Sequence, residues 1–171
     1  MPNPALAPAS AGAGECVPVY RCRLEHVGTR PAAPGPFVTP ADAAAYLRAV
    51  IPEGADRVHV VALALDVKNQ VLGVHEVAVG TLDAALLSPR ECLKAAILLN
   101  AAGLILGMNH VSGDPTPSLD TVSVVRHIAV ACKAVGIPLR DFIVLGAESF
   151  VPLDPRTLQR FSRAEELVAT A

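Results

Sequence analysis

The residues of this chain best suited to chemistry lie in one run, Met108-Asn109-His110-Val111-Ser112-Gly113-Asp114-Pro115-Thr116-Pro117-Ser118. An imidazole at His110 can ligate a metal or carry a proton. Either task needs partners. A catalytic zinc takes three protein ligands and a water, and brings that water's pKa near neutral. The candidates to share a metal with His110 are Asp120 and one of Asp114, His127 or His75. His127 follows Asp120 by two helical turns, about 10 Å, which makes it a poor co-ligand. The plainer role for His110 is that of a hydrogen-bonded histidine in a pocket. Ser118 also has a sufficient structural role: it caps a helix and satisfies an orphan backbone N–H. Asp120 in the first turn then complements the helix dipole.

Four cysteines are present, Cys16, Cys22, Cys92 and Cys132, with no C-x-x-C pair. Cys92 and Cys132 fall in apolar helical patterns and are expected as buried free thiols. Cys16 and Cys22 match no zinc-finger spacing. Glu91 reads as a helix-start acid rather than a base. His75 and Glu76 read as exposed or edge-strand residues.

The elements that must position the loop follow from periodicity and punctuation. Residues 1–16 are rich in Ala, Pro and Gly, too poor in large apolar groups to offset chain entropy, and are expected to be disordered. Val17–Glu25 alternates apolar and polar residues, the pattern of an edge strand. Gly28–Pro36 is a Pro/Gly linker. Thr39-Pro40-Ala41-Asp42 starts a helix that runs to about Val50. Val58–Val67 is nearly all apolar, as in a strand buried on both faces. A turn at Lys68-Asn69 and a strand over Val71–Val79 complete a hairpin. Ser88-Pro89-Arg90-Glu91 has the capping-box pattern and starts a helix expected to reach Ala102. Leu104–Met108 is a core strand. A helix from Ser118 carries Val122, Val125, Ile128, Ala129 and Cys132 on one face. Ile137–Leu145 is the last core strand, and Ser149–Leu153 a short one. The order predicts an α/β (α+β) domain over 17–153, with helices packed on one mixed sheet, and a terminal helix or tail over 154–171.

Composition bounds the rest. The chain has 171 residues, enough for one core, and is 52% hydrophobic. Its mean hydropathy is +0.45. The longest apolar candidate, Ala95–Met108, is interrupted by Asn100 and Gly103, short of the roughly 18 residues a membrane span needs. The N-terminus has no basic cluster ahead of an apolar stretch, so no signal peptide is expected and the location predicted is cytoplasmic. The net charge is -2, with 14 basic and 16 acidic residues. The arginines are scattered, and charge gives nucleic-acid binding no support.

The Asn-His, Ser-Gly-Asp-Pro-Thr-Pro and helix-start Ser of the loop resemble the RadC-family signature His-Asn-His-Pro-Ser-Gly-Asp-Pro-Thr-Pro-Ser. Asp56-Arg57, Leu65-Asp66, Lys68-Asn69, Gly80-Thr81-Leu82, Pro89-Arg90-Glu91, Asn100-Ala101-Ala102 and Gly136-Ile137 extend the resemblance to roughly residues 17–153. It implies a JAB/MPN, cytidine-deaminase-like fold: a mixed sheet flanked by helices. It also implies a zinc hydrolase motif of two histidines, an aspartate, a glutamate base and an oxyanion-holding serine. Carried over residue by residue, the first histidine position is Met108. The second histidine is His110 and the serine is Ser118, both retained. The aspartate position is Thr121 and the glutamate position is Val58. A further histidine position is Phe142, behind a retained Asp141, and the proline after the second histidine is Val111.

These replacements remove the base and two of three metal ligands. Val and Phe cannot bind zinc, and a Met thioether suits copper(I) better. His59 adjoins Val58 but faces the other side of its strand, so it is no substitute for the base. Asp120 is one residue early for the aspartate position, a rotation of about 100° away from it. The expectation is a metal-free JAB scaffold without cofactor, a binding or assembly module with a protein partner or a homo-oligomer. An alternative is a zinc-dependent metallohydrolase or isopeptidase-like enzyme rebuilt around His110 and Asp120. A DNA-repair role follows from the family label alone; longer members carry a helix-hairpin-helix segment, for which the 37 N-terminal residues are too short and too Pro/Gly-rich.

Overall fold

The computed structural model describes residues 20–83, 85–156 and 158. The elements are α1 (Pro40–Val50), β1 (His59–Leu65), β2 (Val71–Val79), α2 (Pro89–Leu98), β3 (Gly103–Asn109), α3 (Leu119–Ala134), β4 (Leu139–Leu145) and β5 (Phe150–Pro152). They build one five-stranded mixed sheet in the order β2-β1-β3-β4-β5. β1 pairs antiparallel with β2 and β3, and β4 antiparallel with β5. β3 and β4 run parallel, joined by a crossover through α3. This is the α/β architecture expected.

The helix starts form for the reasons their residues give. Thr39 Oγ1 accepts from the Asp42 N–H at 3.3 Å, and the Asp42 carboxylate accepts from the Thr39 N–H at 2.7 Å. Ser88 makes only half of the expected box. Its hydroxyl accepts from the Glu91 N–H, while the Glu91 carboxylate turns outward to Lys94. The β1–β2 turn closes where Asp66 Oδ1 accepts from the N–H groups of Lys68 and Gln70, with Asn69 at φ 60°.

β1 is buried on both faces, which accounts for its unbroken apolar run. Val61, Leu63, Leu65, Ile105, Ile143 and Leu145 face α1, where they meet Phe37 and Leu47. Val60, Ala62, Leu104, Leu106, Phe142 and Val144 face α2 and α3, where they meet Cys92, Ile128 and Cys132. Leu47 settles directly on Gly107, where an added Cβ would lie 2.3 Å from its Cδ1.

Two expectations need correction. Residues 20–25 of the expected edge strand Val17–Glu25 belong to no strand, and none of the described residues pairs with them. Residues 17–19 lie outside the described residues. The second helix stops at Leu98, not near Ala102. Asn100 takes a left-handed φ of 52°, and the Ala102 N–H already donates to the Leu65 carbonyl of β1 at 2.7 Å. The N-terminal 1–16 and most of the tail 154–171 lie outside the described residues; Pro155 and Arg156 begin a helical turn.

Candidate functional site

The loop from His110 to Ser118 leaves the carboxyl end of β3 and leads into α3, the place where parallel-strand folds usually set their sites. His110 continues the β3–β4 ladder, its N–H donating to the Leu145 carbonyl at 2.8 Å. Its Nδ1 donates to the Asp114 carbonyl at 2.8 Å, since a carbonyl can only accept. That contact fixes the tautomer and leaves Nε2 as the acceptor. The Asp114 carboxylate is occupied within the loop, accepting from the Thr116 N–H at 2.9 Å. Thr116, by hydroxyl and by N–H, holds this carboxyl below the ordinary range.

Ser118 is the N-cap of α3. Its Oγ accepts from the Thr121 N–H at 3.1 Å and lies 3.0 Å from Thr121 Oγ1. The two hydroxyls that the resemblance sets beside the metal are thus paired with each other. Asp120 and His127 are exposed on α3, and His75 is half-buried on β2. Among the described residues, no three His, Cys, Asp or Glu side chains come together as a metal-binding group.

The remaining positions are apolar and packed. Val58 is 1% exposed, Met108 6% and Phe142 0%, and all three belong to the cluster beneath α2 and α3. Val111 and Val122 pack against that cluster from the loop and the helix. The donor set therefore does not fit zinc: one imidazole, a hydroxyl pair and a thioether stand where three ligands and a base are needed. His59 faces away from Val58, as strand alternation requires, and its Nδ1 lies 3.1 Å from Glu76 Oε2 across the hairpin.

Three supporting residues escaped the sequence reading. Asn109 ends β3, and its side chain imitates the next backbone rung: Oδ1 accepts from the His59 N–H at 2.7 Å, and Nδ2 donates to the Arg57 carbonyl at 3.1 Å. It clamps the backbone on either side of Val58. Gly146, just after β4, lies against the motif loop. A Cβ there would stand 2.4 Å from the Gly113 oxygen and 2.6 Å from Pro115 Cδ. Arg48, in the last turn of α1, donates to the carbonyls of Gly146, Ala147 and Ser149 at 2.8–2.9 Å. Only Gly146 carried a local signal, a glycine directly after an apolar strand.

Asp141, the retained aspartate before Phe142, is the buried carboxylate of the described residues. Burial raises its pKa to about 6, against a lowering contribution from the Phe142 N–H that donates to it at 2.9 Å. Cys92 and Cys132 are buried as expected, and burial pushes their thiols up to about 12 and about 11. No helix among the described residues is long and apolar enough to cross a membrane.

A family model described as "RadC-like JAB domain" matches residues 37–158, more than half of the chain. The UPF0758 protein of Desulfitobacterium hafniense (strain DSM 10664 / DCB-2) is 40% identical over 101 residues, covering 59% of this chain and 44% of that protein. The UPF0758 protein of Moorella thermoacetica (strain ATCC 39073 / JCM 9320) is 42% identical over 103 residues, 60% of this chain and 45% of that protein. That of Desulforudis audaxviator (strain MP104C) is 45% identical over 98 residues, 57% and 43% respectively. The match thus spans less than half the length of these curated relatives. With the mixed sheet and the motif loop in place, the chain belongs to the RadC-like JAB domain family.

Proposed function

We propose that this chain is a JAB-fold module without zinc-hydrolase chemistry, used for binding or assembly. One observation carries the reading. The side chains at the base, first-ligand and strand-histidine positions, Val58, Met108 and Phe142, are packed together as core. No atom of Val58 can take a proton, and no lone pair of Phe142 can reach a metal. The loop survives as a shape, capped by Ser118 and closed by the His110–Asp114 contact.

A second reading has one observation in its favour. With Nδ1 bonded to a backbone carbonyl, His110 presents Nε2 in the manner of many metal-bound histidines. On that reading the chain is a metallohydrolase rebuilt around His110 and Asp120, acting on a peptide or isopeptide bond. The DNA-repair label draws no support from a net charge of -2.

Elemental analysis of protein purified without chelator, with His110→Ala alongside, separates the readings. The expected result is sub-stoichiometric zinc in both proteins. Near-stoichiometric zinc that is lost in His110→Ala would overturn the metal-free reading and favour the second.

A further inference from the structure

The donors at the end of β3 do not fit zinc, yet they are of one chemical kind. Met108 and His110 are alternate residues of one stretch in strand pairing. β3 runs through Asn109, and the His110 N–H carries the ladder one rung further, onto the Leu145 carbonyl at 2.8 Å. Alternate strand residues share a face and stand roughly 6.6 Å apart along it. Leu104, Leu106 and Met108 mark that face as the one beneath α2 and α3. A thioether and an imidazole are therefore successive side chains of one face, at a spacing from which two ligands can converge on one ion.

Each donor suits a soft ion. The Nδ1 bond to the Asp114 carbonyl holds His110 in the tautomer whose Nε2 carries a free lone pair. The Met108 sulfur is polarizable and sits on a flexible, unbranched chain that can turn toward its neighbour. The surroundings are apolar: Met108 is 6% exposed, and Val111 and Val122 pack on the same cluster from the loop and from α3. His110 is only half-buried, which leaves a way in from the loop. The harder donors nearby are occupied or exposed. The Asp114 carboxylate accepts from the Thr116 N–H, the Ser118 and Thr121 hydroxyls meet each other, and Asp120 is exposed on α3. A thioether and an imidazole in an apolar shell, with no carboxylate to join them, favour a soft monovalent ion over zinc.

We propose that Met108 and His110 form a binding site for copper(I), where β3 gives way to the motif loop. The Met108 sulfur and His110 Nε2 are its two protein ligands. Binding releases no proton, since Nε2 is bare in this tautomer and a thioether has none to lose. The ion enters and leaves as copper(I), so no electron is exchanged and no co-reactant is needed. The site adds no hydrolase chemistry: with Val58 in place of a base, no group stands ready to take a proton from water. It rests on the reading given above only in taking this place as lost to zinc. A chain that binds no copper removes the site and leaves the packing of Val58 and Phe142 as it is, whereas stoichiometric zinc held by His110 overturns the reading itself.

The test is an anaerobic titration of the full chain with copper(I) against bicinchoninate, a coloured chelator of that ion. Cys22 is an exposed thiol and Cys16 is another in the sequence, and cysteine sulfur also takes copper(I). Every protein tested therefore carries Cys16→Ser and Cys22→Ser; Cys92 and Cys132, both 0% exposed, are kept. The expected result is one copper per chain drawn from the chelator, with both sulfur and nitrogen neighbours in its X-ray absorption spectrum. Met108→Leu conserves the volume of the core, and its thermal melt is expected to stay near that of the parent. Met108→Leu and His110→Ala are each expected to weaken binding at least about tenfold, since losing a ligand costs no less than losing an outer partner of one. An excess of zinc is expected to displace none of the copper. The proposal is overturned by a parent protein that draws no copper, by a bound ion without a sulfur neighbour, by affinity unchanged in Met108→Leu, or by displacement with zinc.

Discussion

The Arg48 guanidinium donates to the Gly146 carbonyl at 2.9 Å, across 98 residues of sequence. The helix on one face of the sheet thereby holds the β4–β5 loop, and that loop in turn supports the motif loop. Gly146 touches Gly113 and Pro115, and the Ala147 N–H donates to the Gly113 carbonyl at 2.9 Å.

Arg48→Ala removes three charge-assisted hydrogen bonds at a partly exposed site. The expected cost is about 1–2 kcal/mol, or roughly 3–6 °C in Tm for a chain of this size. Arg48→Lys is expected to recover only part of it, because an ammonium does not reproduce the fork that serves several carbonyls together. Thermal melts of the three proteins check both statements.

Gly146→Ala places a methyl against the Gly113 oxygen and the Pro115 ring and nitrogen, none of which is a flexible side-chain end. Overpacking of this kind costs about 1–3 kcal/mol. The damage is expected to be local: faster hydrogen exchange over residues 111–117, with the β1–β3 amides unchanged.

Val58→Glu restores the acid that the family resemblance expects. The new carboxylate would sit in the apolar cluster that holds Val60, Met108 and Phe142. A loss of about 3 kcal/mol or more is expected in urea unfolding at neutral pH, easing as the pH falls and the group is neutralised. Added zinc is expected to recover none of it. Recovery by stoichiometric zinc would show that a usable metal site remains.

Asp141 sets a pH dependence of definite sign. Its pKa in the folded protein is raised from 3.8 to about 6 by burial. The native state therefore binds more protons than the unfolded chain between those values, and stability falls as pH rises through that window. Asp141→Asn keeps an oxygen for the Phe142 N–H and removes the buried charge. The variant is expected to be more stable than wild type at pH 7.5, by at most about 3 kcal/mol. The two unfolding curves should converge near pH 3.5.

Much of this fold is legible in the sequence because local chemistry decides it. Thr39 and Ser118 cap helices through their own hydroxyls, and β2 falls at Val71–Val79, just after the Lys68-Asn69 turn, as the hairpin reading expects. The end of α2 was overrun: Ala101 and Ala102 are good helix formers, but Asn100 turns left-handed there, a local stop signal, and the Leu65 carbonyl then draws Ala102 to the sheet. The strand expected over Val17–Glu25 failed in the opposite sense. Its alternation is that of a strand, but a strand needs a partner that periodicity cannot supply. For the candidate site, residue identities at Val58, Met108, Thr121 and Phe142 could be read directly. The props at Arg48 and Asn109 could not, because each acts through backbone groups far away in the chain, and Gly146 showed only as a glycine directly after an apolar strand.

The buttressing of Gly113 and Pro115 by Gly146 has a consequence for motif searching. The Ser-Gly-Asp-Pro-Thr-Pro string records a mechanical fit between two loops, and here that fit is made with Val58, Met108 and Thr121 in place. A scan keyed to the string therefore finds the shape of the loop. The side chains at those three positions bear on the metal chemistry that the family resemblance implies.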